Sequence, residues 1–271
     1  MTIQNFRINK IFQGDCLKIL SELPDDLFDL IITDPPFNVM NKEDLKFNHR
    51  TDIKQGVEFD QFSSYEDYLI FTENWMKIVM AKMKPDSSLY VFFAIQYITD
   101  LMKICLKYGL KYKGVLIWHK TNPAPKIRKS GYVSSTESIL FMVKGKPTFN
   151  FLGQNKMHNL IETSICMGKE RLKDKTKKTK NGKGATLHPT QKPLDLYKHF
   201  IMVSSNANDL VCDPFVGTGT ANIACKILNR YCIGIELDDN YALHAQERLN
   251  KIKIKKQKTG IGAWTKSSIK S

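Results

Sequence analysis

The sequence predicts an α/β fold in which helices cover both faces of a mostly parallel sheet of seven strands. Short apolar runs typical of strands alternate along the chain with stretches whose apolar residues have helical spacing. Strands that alternate with helices favour parallel pairing, with helices packed on both faces of the sheet. The 271 residues and 42% hydrophobic content are enough for one large domain with a core of its own.

Seven segments have the apolar runs expected of strands, and five have the spacing expected of helices. We expect strands at residues 8–13, 28–33, 88–94, 114–119, 138–143, 209–212 and 231–235. Helices are expected at residues 65–83, 99–108, 193–204, 220–229 and 241–252. Because no clear helix separates the fourth strand from the fifth, these two are predicted to pair in antiparallel fashion at one edge of the sheet.

Two stretches do not fit this alternation. Residues 38–62 are polar and predict a mobile loop, whereas residues 144–186 form a long, basic and only weakly periodic stretch. Loops of such length in a compact domain are usually functional or disordered.

The positive charge is concentrated in two segments. The chain has 41 Lys and Arg against 27 Asp and Glu, a formal net charge of +14. Residues 169–184 have a net charge of +6 and residues 248–271 a net charge of +8, so the rest of the chain is close to neutral. A neutral body with two basic patches indicates a polyanionic partner, nucleic acid above all. The alternative is that both stretches are solvated, lysine-rich surface.

The six cysteines form no CxxC pair, so we expect neither a zinc site nor any other bound metal. The N-terminus has no continuous apolar segment of the kind found in secretory signals. The longest apolar run, residues 89–95, is far too short to cross a bilayer. These features predict a protein of the reducing cytoplasm with no membrane partner.

The first candidate site is the segment Asp34-Pro35-Pro36-Phe37, which directly follows an apolar strand. Prolines prevent the strand from continuing, so Asp34, a backbone carbonyl and Phe37 are presented at its carboxyl end, where open α/β sheets bind ligands. Two acceptors on the N–H bonds of an exocyclic amine favour a pyramidal nitrogen whose lone pair can attack a methyl donor. Phe37 offers a face on which a base can stack. The alternative is an ordinary strand-ending turn.

The second candidate site is a glycine-containing loop between a strand and a helix, residues 213–220. Gly217 and Gly219 permit a ligand to approach the backbone closely, at a helix N-terminus that favours negative groups. The next strand ends in Glu236, 17 residues after Gly219, and a carboxylate there suits the hydroxyls of a ribose. The full G-x-G-x-x-G pattern of dinucleotide enzymes is absent because position 222 is Asn. A plain βα turn is the alternative.

Two weaker sites complete the set. Residues 188–193, with the sequence HPTQKP, precede a helix and present Lys192 as a cation suited to a carboxylate. Asp15 and Cys16 follow the first strand, where an acid can accept a hydrogen bond from a purine amino group. Taken alone, residues 188–193 are better explained as an ordinary loop, and the acid at the end of the first strand is a weak signal.

In combination, these four sites resemble the motifs of the amino-methylating DNA methyltransferases. Residues 34–37 resemble the family's (D/N/S)PP(F/Y/W) catalytic motif, residues 215–219 its F-x-G-x-G cofactor loop, and residues 188–193 the motif just upstream of that loop. The catalytic motif comes first and the cofactor loop last, an order that resembles the β-class. The resemblance implies a Rossmann-like fold with circularly permuted motif order.

The resemblance also implies a role for each residue, with S-adenosyl-L-methionine as the cofactor. Asp34, Pro35, Pro36 and Phe37 would be catalytic, and the strand that ends at Asp213 would lie beside the strand that ends at Asp34. Glu236 would hold the ribose of the cofactor, Asp15 would lie near its adenine, and Lys192 near its methionine part. The implied cofactor-binding set is Asp15, Cys16, Asp34, Lys192, Asp213, Pro214, Phe215, Gly217, Thr218, Gly219, Thr220, Glu236 and Leu237.

The same resemblance divides the chain into four parts. Residues 1–143 would be the catalytic half of the methyltransferase domain and residues 187–258 its cofactor-binding half. Residues 144–186 would form a target-recognition insert, and residues 259–271 a tail without a family counterpart.

The implied activity is site-specific methylation of double-stranded DNA at the N6 amine of an adenine flipped out of the duplex. Asp34 resembles the adenine-specific members more than the cytosine-N4 ones, where Ser is usual. Cytosine-N4 methylation, an RNA substrate and a nucleic-acid-binding protein with an inactive core remain as alternatives. An NAD-type oxidoreductase would lack its third glycine and would leave residues 34–37 unexplained. A homodimer, a companion restriction endonuclease and the recognition sequence are left open.

Overall fold

A central sheet organises the structure, a computed structural model that describes residues 2–3, 6–38, 62–125, 131–168, 170–178, 184–186 and 190–252. The strands are β1 (Thr2–Ile3), β2 (Phe6–Arg7), β3 (Lys10–Gln13), β4 (Phe28–Thr33), β5 (Met83–Phe93), β6 (Lys111–Lys120), β7 (Thr136–Lys144), β8 (Leu160–Thr163), β9 (Lys173–Lys178), β10 (Gly184–Thr186), β11 (Leu210–Asp213) and β12 (Tyr231–Glu236). The helices are α1 (Cys16–Ser21), α2 (Tyr65–Lys82), α3 (Ile98–Lys107), α4 (Leu194–Ser204), α5 (Thr220–Ile227) and α6 (Asp239–Lys251).

The strands of the central sheet lie in the order β3-β12-β11-β4-β5-β7-β6-β8. The first five are parallel, β7 is antiparallel to both β5 and β6, and β8 is parallel to β6. The chain leaves β4 toward β5 on one side, whereas the late strand β11 pairs with β4 on the other. The expected pairing of the strand before Asp34 with the strand that ends at Asp213 is therefore confirmed. Sheets of this kind bind ligands where the strand order reverses.

Different helices cover the two faces of the sheet. Ile31 and the strand residues on its face pack with α1, α2 and α3, whereas Leu30 and its face pack with α4, α5 and α6. Ile31 and Leu30 lie on opposite faces because successive side chains of a strand point to opposite sides of the sheet. Both side chains are fully buried, and burial on both faces explains why this parallel strand has a continuous apolar sequence.

The predicted α/β class, with a mostly parallel sheet and helices on both faces, is confirmed. All seven predicted strands and all five predicted helices are present, with ends that differ by a few residues. The largest difference is in β5, which begins at Met83 rather than at residue 88. Its first residues include the polar Lys84, Asp86 and Ser87, which hid the start of the strand.

The sheet has eight strands rather than the seven predicted. The additional strand β8 lies within the basic stretch 144–186 and pairs with β6. Its four residues alternate between exposed and half-buried positions, so no apolar run marks it in the sequence. The predicted antiparallel pairing of β6 with β7 is confirmed, but β8 forms the edge of the sheet instead of this pair.

Some predicted segments fall outside the described residues. Residues 39–61, which make up most of the predicted loop, and residues 253–271, which include the tail, are among them. Within the described part of the chain, no helix is long and apolar enough to cross a membrane. That part also contains no cluster of three or more His, Cys, Asp or Glu side chains able to hold a metal ion.

Candidate active site at the carboxyl edge of the sheet

The segment Asp34-Pro35-Pro36-Phe37 leaves the carboxyl end of β4 in a fixed conformation. Its prolines end the strand, and the hydroxyl of Tyr68 on α2 donates a hydrogen bond to the carbonyl of Pro36 at 3.0 Å. Tyr68 is fully buried and therefore has little freedom to change partners. The ring of Phe37 lies 6.5 Å from that of Phe93, centroid to centroid. The backbone of the predicted catalytic motif is thus tied to α2.

Lys192 brings a positive charge directly to Asp34. Its Nζ atom lies 2.5 Å from Oδ2 of Asp34, and the Lys192 side chain is only 6% exposed. The neighbouring Gln191 anchors this segment, because its amide donates to the carbonyl of Glu170 and its Oε1 accepts from the backbone N–H of Leu172, both at 2.9 Å. The structure therefore joins two predicted sites, residues 34–37 and the end of the HPTQKP segment. His188 and Pro189 of that segment lie outside the described residues.

A second carboxylate, Glu137 at the start of β7, also contacts Lys192. Its Oε2 atom is 3.2 Å from Nζ of Lys192, and its Oε1 atom is 2.8 Å from Nζ of Lys120 at the end of β6. Burial by itself raises the pKa of Glu137, but the two lysines outweigh it and hold the pKa below its usual value. Burial likewise lowers the pKa of Lys192, but Asp34 and Glu137 hold it above the usual value. Lys192 and Glu137 are therefore both ionised at neutral pH.

The glycine-containing loop after β11 turns back onto the end of β12. Gly217 and Gly219 have φ angles of 50° and 79°, a left-handed conformation that glycine adopts without strain. The backbone N–H of Gly217 donates to Oε2 of Glu236 at 2.7 Å, and that of Val216 donates to the carbonyl of Ile235 at 2.9 Å. A Cβ atom at Gly219 would lie 3.0 Å from Cβ of Ala245 on α6, so close packing also favours glycine there.

Glu236 is held by backbone amides from two directions. Its Oε1 atom accepts from the N–H of Asp238 at 3.0 Å, while Oε2 accepts from Gly217. Burial raises the pKa of Glu236, against the effect of these hydrogen bonds. The next residue, Leu237, is 66% exposed, and its carbonyl accepts a hydrogen bond from the Gln13 amide at 3.1 Å.

Asp213 links the cofactor loop to the strand that carries the catalytic motif. Its Oδ1 atom accepts from the hydroxyl of Thr33 at 2.8 Å and from the N–H of Phe215 at 3.1 Å. Burial raises the pKa of Asp213 to about 7, although these hydrogen bonds act in the opposite direction. Phe215 in turn packs edge-on against Trp75 of α2, with 5.4 Å between ring centroids.

The remaining residues of the loop are buried around the start of α5. Pro214, Thr218 and Thr220 are all buried. The hydroxyls of the two threonines lie 3.4 Å apart, and Arg248 donates a hydrogen bond to the carbonyl of Thr218. This packing holds the loop in place between β11 and α6.

Asp15 and Cys16 form the start of α1, a helix that the sequence analysis missed. Oδ1 of Asp15 accepts from the N–H of Leu17 at 2.8 Å and so caps the helix. The N–H of Gly14 donates to the carbonyl of Glu236 at 2.8 Å, which places this turn beside the end of β12. Burial raises the pKa of the Cys16 thiol to about 12, so the thiol stays neutral and offers an apolar contact.

The predicted site residues that follow β3, β12, β11 and β4 thus lie at the carboxyl edge of four adjacent strands, and Lys192 reaches this edge through Asp34. Three contributors were missed by the sequence analysis: Tyr68, Glu137 and Lys120. None belongs to a motif. The available signal was weak: Lys120 and Glu137 are charged residues that flank apolar strands, and Tyr68 is one of several apolar residues of a predicted helix.

Comparison with known proteins agrees with this geometry. The chain belongs to the N6/N4 DNA methylase family, whose model matches residues 28–247. It is 35% identical over 257 residues to the Type II methyltransferase M.HinfI of Haemophilus influenzae, in an alignment that covers 91% of this chain and 69% of the relative. The predicted membership of the amino-methylating DNA methyltransferases is thereby confirmed.

Two solved structures have similar folds. The crystal structure of the M1.HpyAVI–SAM complex has a TM-score of 0.61 and 27% identity, and the match covers 89% of this chain and 99% of that one. The PvuII DNA methyltransferase (cytosine-N4-specific) has a TM-score of 0.65 over 89% of each chain. At 19% identity, this second likeness shows the fold alone.

Proposed function

We propose that this chain transfers a methyl group from S-adenosyl-L-methionine to the N6 amine of an adenine flipped out of double-stranded DNA. The observation that carries the proposal is the hydrogen bond between Thr33 and Asp213, which joins the strand of the catalytic motif to the strand of the cofactor loop. Methyl donor and acceptor would therefore bind at adjacent strand ends, in a near-attack arrangement.

The residues at this edge have the chemistry that S-adenosyl-L-methionine requires. Glu236 is a carboxylate suited to the ribose hydroxyls, and the exposed Leu237 offers an apolar surface to the adenine. Lys192 pairs with Asp34 and lies 3.2 Å from Glu137, and its role beside the methionine part of the cofactor stays a prediction. Once bound, the cofactor supplies an electrophilic methyl group.

The catalytic work of the chain is to prepare the amine of the target base. The carboxylate of Asp34 accepts a hydrogen bond from one N–H of the target amine, which increases the electron density on the amine nitrogen. We assign the second acceptor to the carbonyl of Pro35, since Tyr68 already occupies one of the two acceptor positions of the Pro36 carbonyl. Asp34 then accepts the proton that the methylated nitrogen must lose, and solvent takes that proton away. Phe37 stacks on the base and holds it in the pocket.

Adenine is preferred over cytosine as the target because Asp34 occupies the first position of the motif. Cytosine-N4 methylation remains the second candidate, since the family includes both activities. An inactive core is disfavoured because Asp34, Glu236 and the glycine loop are all present and hydrogen-bonded.

The DNA partner is proposed from charge. Residues 169–184 and 248–271 together hold the whole net charge of +14, and a target-recognition role for 144–186 stays a prediction. Replacing Lys173, Lys175, Lys177, Lys178 and Lys180 with Ala should flatten the salt dependence of DNA binding, by roughly 0.9 in the log–log slope per lost phosphate contact. Identical slopes for the two proteins would reject this segment as a phosphate-binding element.

Other partners and the location of the protein stay predictions as well. The relative M.HinfI is a Type II methyltransferase, and a companion restriction endonuclease is proposed on that basis. A homodimer likewise stays a proposal. All six cysteines are buried free thiols, which supports the predicted reducing cytoplasm.

The test of the proposed function is direct. Wild-type protein and methyl-labelled S-adenosyl-L-methionine are incubated in two separate reactions, one with double-stranded DNA of mixed sequence and one with RNA of mixed sequence. The nucleosides from each reaction are then analysed. We expect label in N6-methyladenine from DNA. Label in N4-methylcytosine would transfer the assignment to the second candidate, and label in RNA alone would refute a DNA substrate.

A further inference from the structure

A row of alternating charges runs from Asp34 toward β7 and β6. Lys192 lies between Asp34 and Glu137, at 2.5 and 3.2 Å, and Glu137 contacts Lys120 at 2.8 Å. The exposed fractions of the four side chains lie between 6% for Lys192 and 19% for Glu137. The four members come from the end of β6, the start of β7, the turn after β4 and the segment before α4, so the fold has assembled the row from four separate segments.

We propose that Glu137 is a positioning residue for methyl transfer. It holds Lys192 in place and balances its charge, so that Asp34 can direct its hydrogen-bonding capacity to the target amine. This inference rests on the proposed function and adds to it a second, distant carboxylate that acts through Lys192.

A buried cation such as Lys192 depends on nearby negative charges for compensation. Removing one partner from a buried ion pair is strongly destabilising, because the remaining charge is left without compensation. With Asp34 as its single counterion, Lys192 would lose compensation once Asp34 accepted the proton of the methylated amine. Glu137 supplies a second counterion. Lys120 balances Glu137 in turn, so the row as a whole has no net charge.

The aromatic neighbours of Lys192 make its position matter for the base as well. Its Nζ atom lies 5.4 Å from the ring centroid of Phe37 and 5.2 Å from that of Phe92. Both distances are within the range of a cation–π attraction. Because Phe37 is also the proposed stacking face, a displaced Lys192 would disturb the base and the acceptor together. Glu137 holds the cation through a second contact, at 3.2 Å.

The experiment measures single-turnover methyl transfer to duplex DNA by wild type, Glu137→Gln, Lys120→Gln and the double variant. Glu137→Gln leaves one excess positive charge in the row, which strengthens the ion pair between Lys192 and Asp34. We expect its rate to fall by at least about tenfold, while the dissociation constants for S-adenosyl-L-methionine and DNA change by less than about threefold. The double variant is neutral again and should be faster than Glu137→Gln, although slower than wild type.

A matched control separates this effect from the loss of any ion pair. Glu73→Gln removes a carboxylate that pairs with Lys107 at 2.6 Å on the surface of α2, and it should leave the rate unchanged. If the role of Glu137 were purely structural, Glu137→Gln would lower the thermal stability, and the double variant would not recover the rate of methyl transfer.

Each outcome bears on the inference. A Glu137→Gln rate equal to wild type, or a double variant no faster than Glu137→Gln, would overturn it. If Glu137→Gln fails to fold, the double variant is compared with wild type instead. A single-turnover rate of the double variant equal to that of wild type would then overturn the proposal. Wild-type protein that transfers no label would instead refute the proposed function, which keeps the two failures distinct.

Discussion

The two sides of the candidate active site are held in different ways. On the cofactor side, backbone amides hold two of the carboxylates: the N–H of Gly217 donates to Glu236, and the N–H of Leu17 donates to Asp15. The third, Asp213, accepts from both a backbone amide and the Thr33 hydroxyl. On the target-base side, side chains from distant segments do this work. Lys192 reaches Asp34 across 158 positions of sequence, and Tyr68 reaches Pro36 across 32.

This difference has a consequence for how each side responds to mutation. Backbone amides are present whichever side chain a residue carries. The cofactor side therefore depends on the conformation of its loop and on a few acidic side chains. The target-base side depends on particular side chains whose loss leaves a buried partner without compensation. Substitutions on the cofactor side should therefore change cofactor affinity, and those on the target-base side should change the rate.

The largest effect is expected from Asp34→Ala. This change removes the acceptor and proton acceptor for the amine, so we expect methyl transfer to be abolished within the detection limit of a labelled-cofactor assay. The fold should survive, because Glu137 remains as a counterion for Lys192. Methylation near the wild-type rate would show that Asp34 is not the catalytic carboxylate.

Glu236→Ala should have the next largest effect, and on binding. It removes a charge-assisted hydrogen bond to a ribose hydroxyl, worth about 1.5–3 kcal/mol, so the cofactor dissociation constant should rise by roughly 10- to 150-fold. Glu247→Ala on α6, whose side chain is 52% exposed, serves as the control and should bind as wild type does. Equal affinities for all three proteins would remove Glu236 from the cofactor site.

Tyr68→Phe should have a smaller effect on the rate. It removes the hydrogen bond to the Pro36 carbonyl, worth about 0.5–1.5 kcal/mol, and loosens the catalytic backbone. We expect kcat to fall by up to about tenfold, with unchanged cofactor affinity. Tyr108→Phe, which removes a hydroxyl bonded to Glu73, is the matched control. A loss of kcat in both variants, or in neither, would contradict a specific role for Tyr68.

The smallest effect on activity, but a distinct effect on stability, is expected from Asp213→Asn. The pKa of Asp213 is raised from 3.8 to about 7, so between these values the folded state keeps a proton that the unfolded state has lost. The free energy of unfolding should therefore fall as pH rises through this window, by at most about 1.4 kcal/mol per pH unit.

Asn keeps the Oδ1 acceptor for Thr33 and Phe215 but cannot ionise. The variant should accordingly show a flatter dependence of the unfolding free energy on pH between about 4 and 7. Chemical denaturation at several pH values measures this directly, and parallel curves for the two proteins would show that Asp213 does not carry the raised pKa.

The fold could be predicted where the sequence is locally consistent. Strand β4 and helix α4 have clear apolar patterns, and their predicted bounds agree closely with those observed. Strand β8 could not be predicted, because its four residues include Glu162 and Thr163 and its stability comes from pairing with β6 and from the bond between Trp118 and Thr163. Tertiary contacts of this kind leave no local pattern.

The candidate site divides in the same way. Glu236 and the glycines of the cofactor loop could be recognised because a loop conformation and a strand end require those residue types within a short span. Glu137 could not, because its significance depends on its contact with Lys192, 55 positions away in sequence, and on its pairing with Lys120 across two strands. Lys192 was predicted to face the cofactor, and its contact with Asp34 became visible only when β4 and the segment before α4 were placed together.

The central claim is that the cofactor side determines cofactor affinity and the target-base side determines the rate of methyl transfer. It is tested most directly by calorimetric titration of S-adenosyl-L-methionine into Asp34→Ala and into Glu236→Ala. The two substitutions remove the same charge from adjacent regions of one sheet edge. We predict a near-wild-type dissociation constant for Asp34→Ala and a value raised by at least about tenfold for Glu236→Ala. Equal losses of affinity in both variants would contradict the division of labour between the two sides.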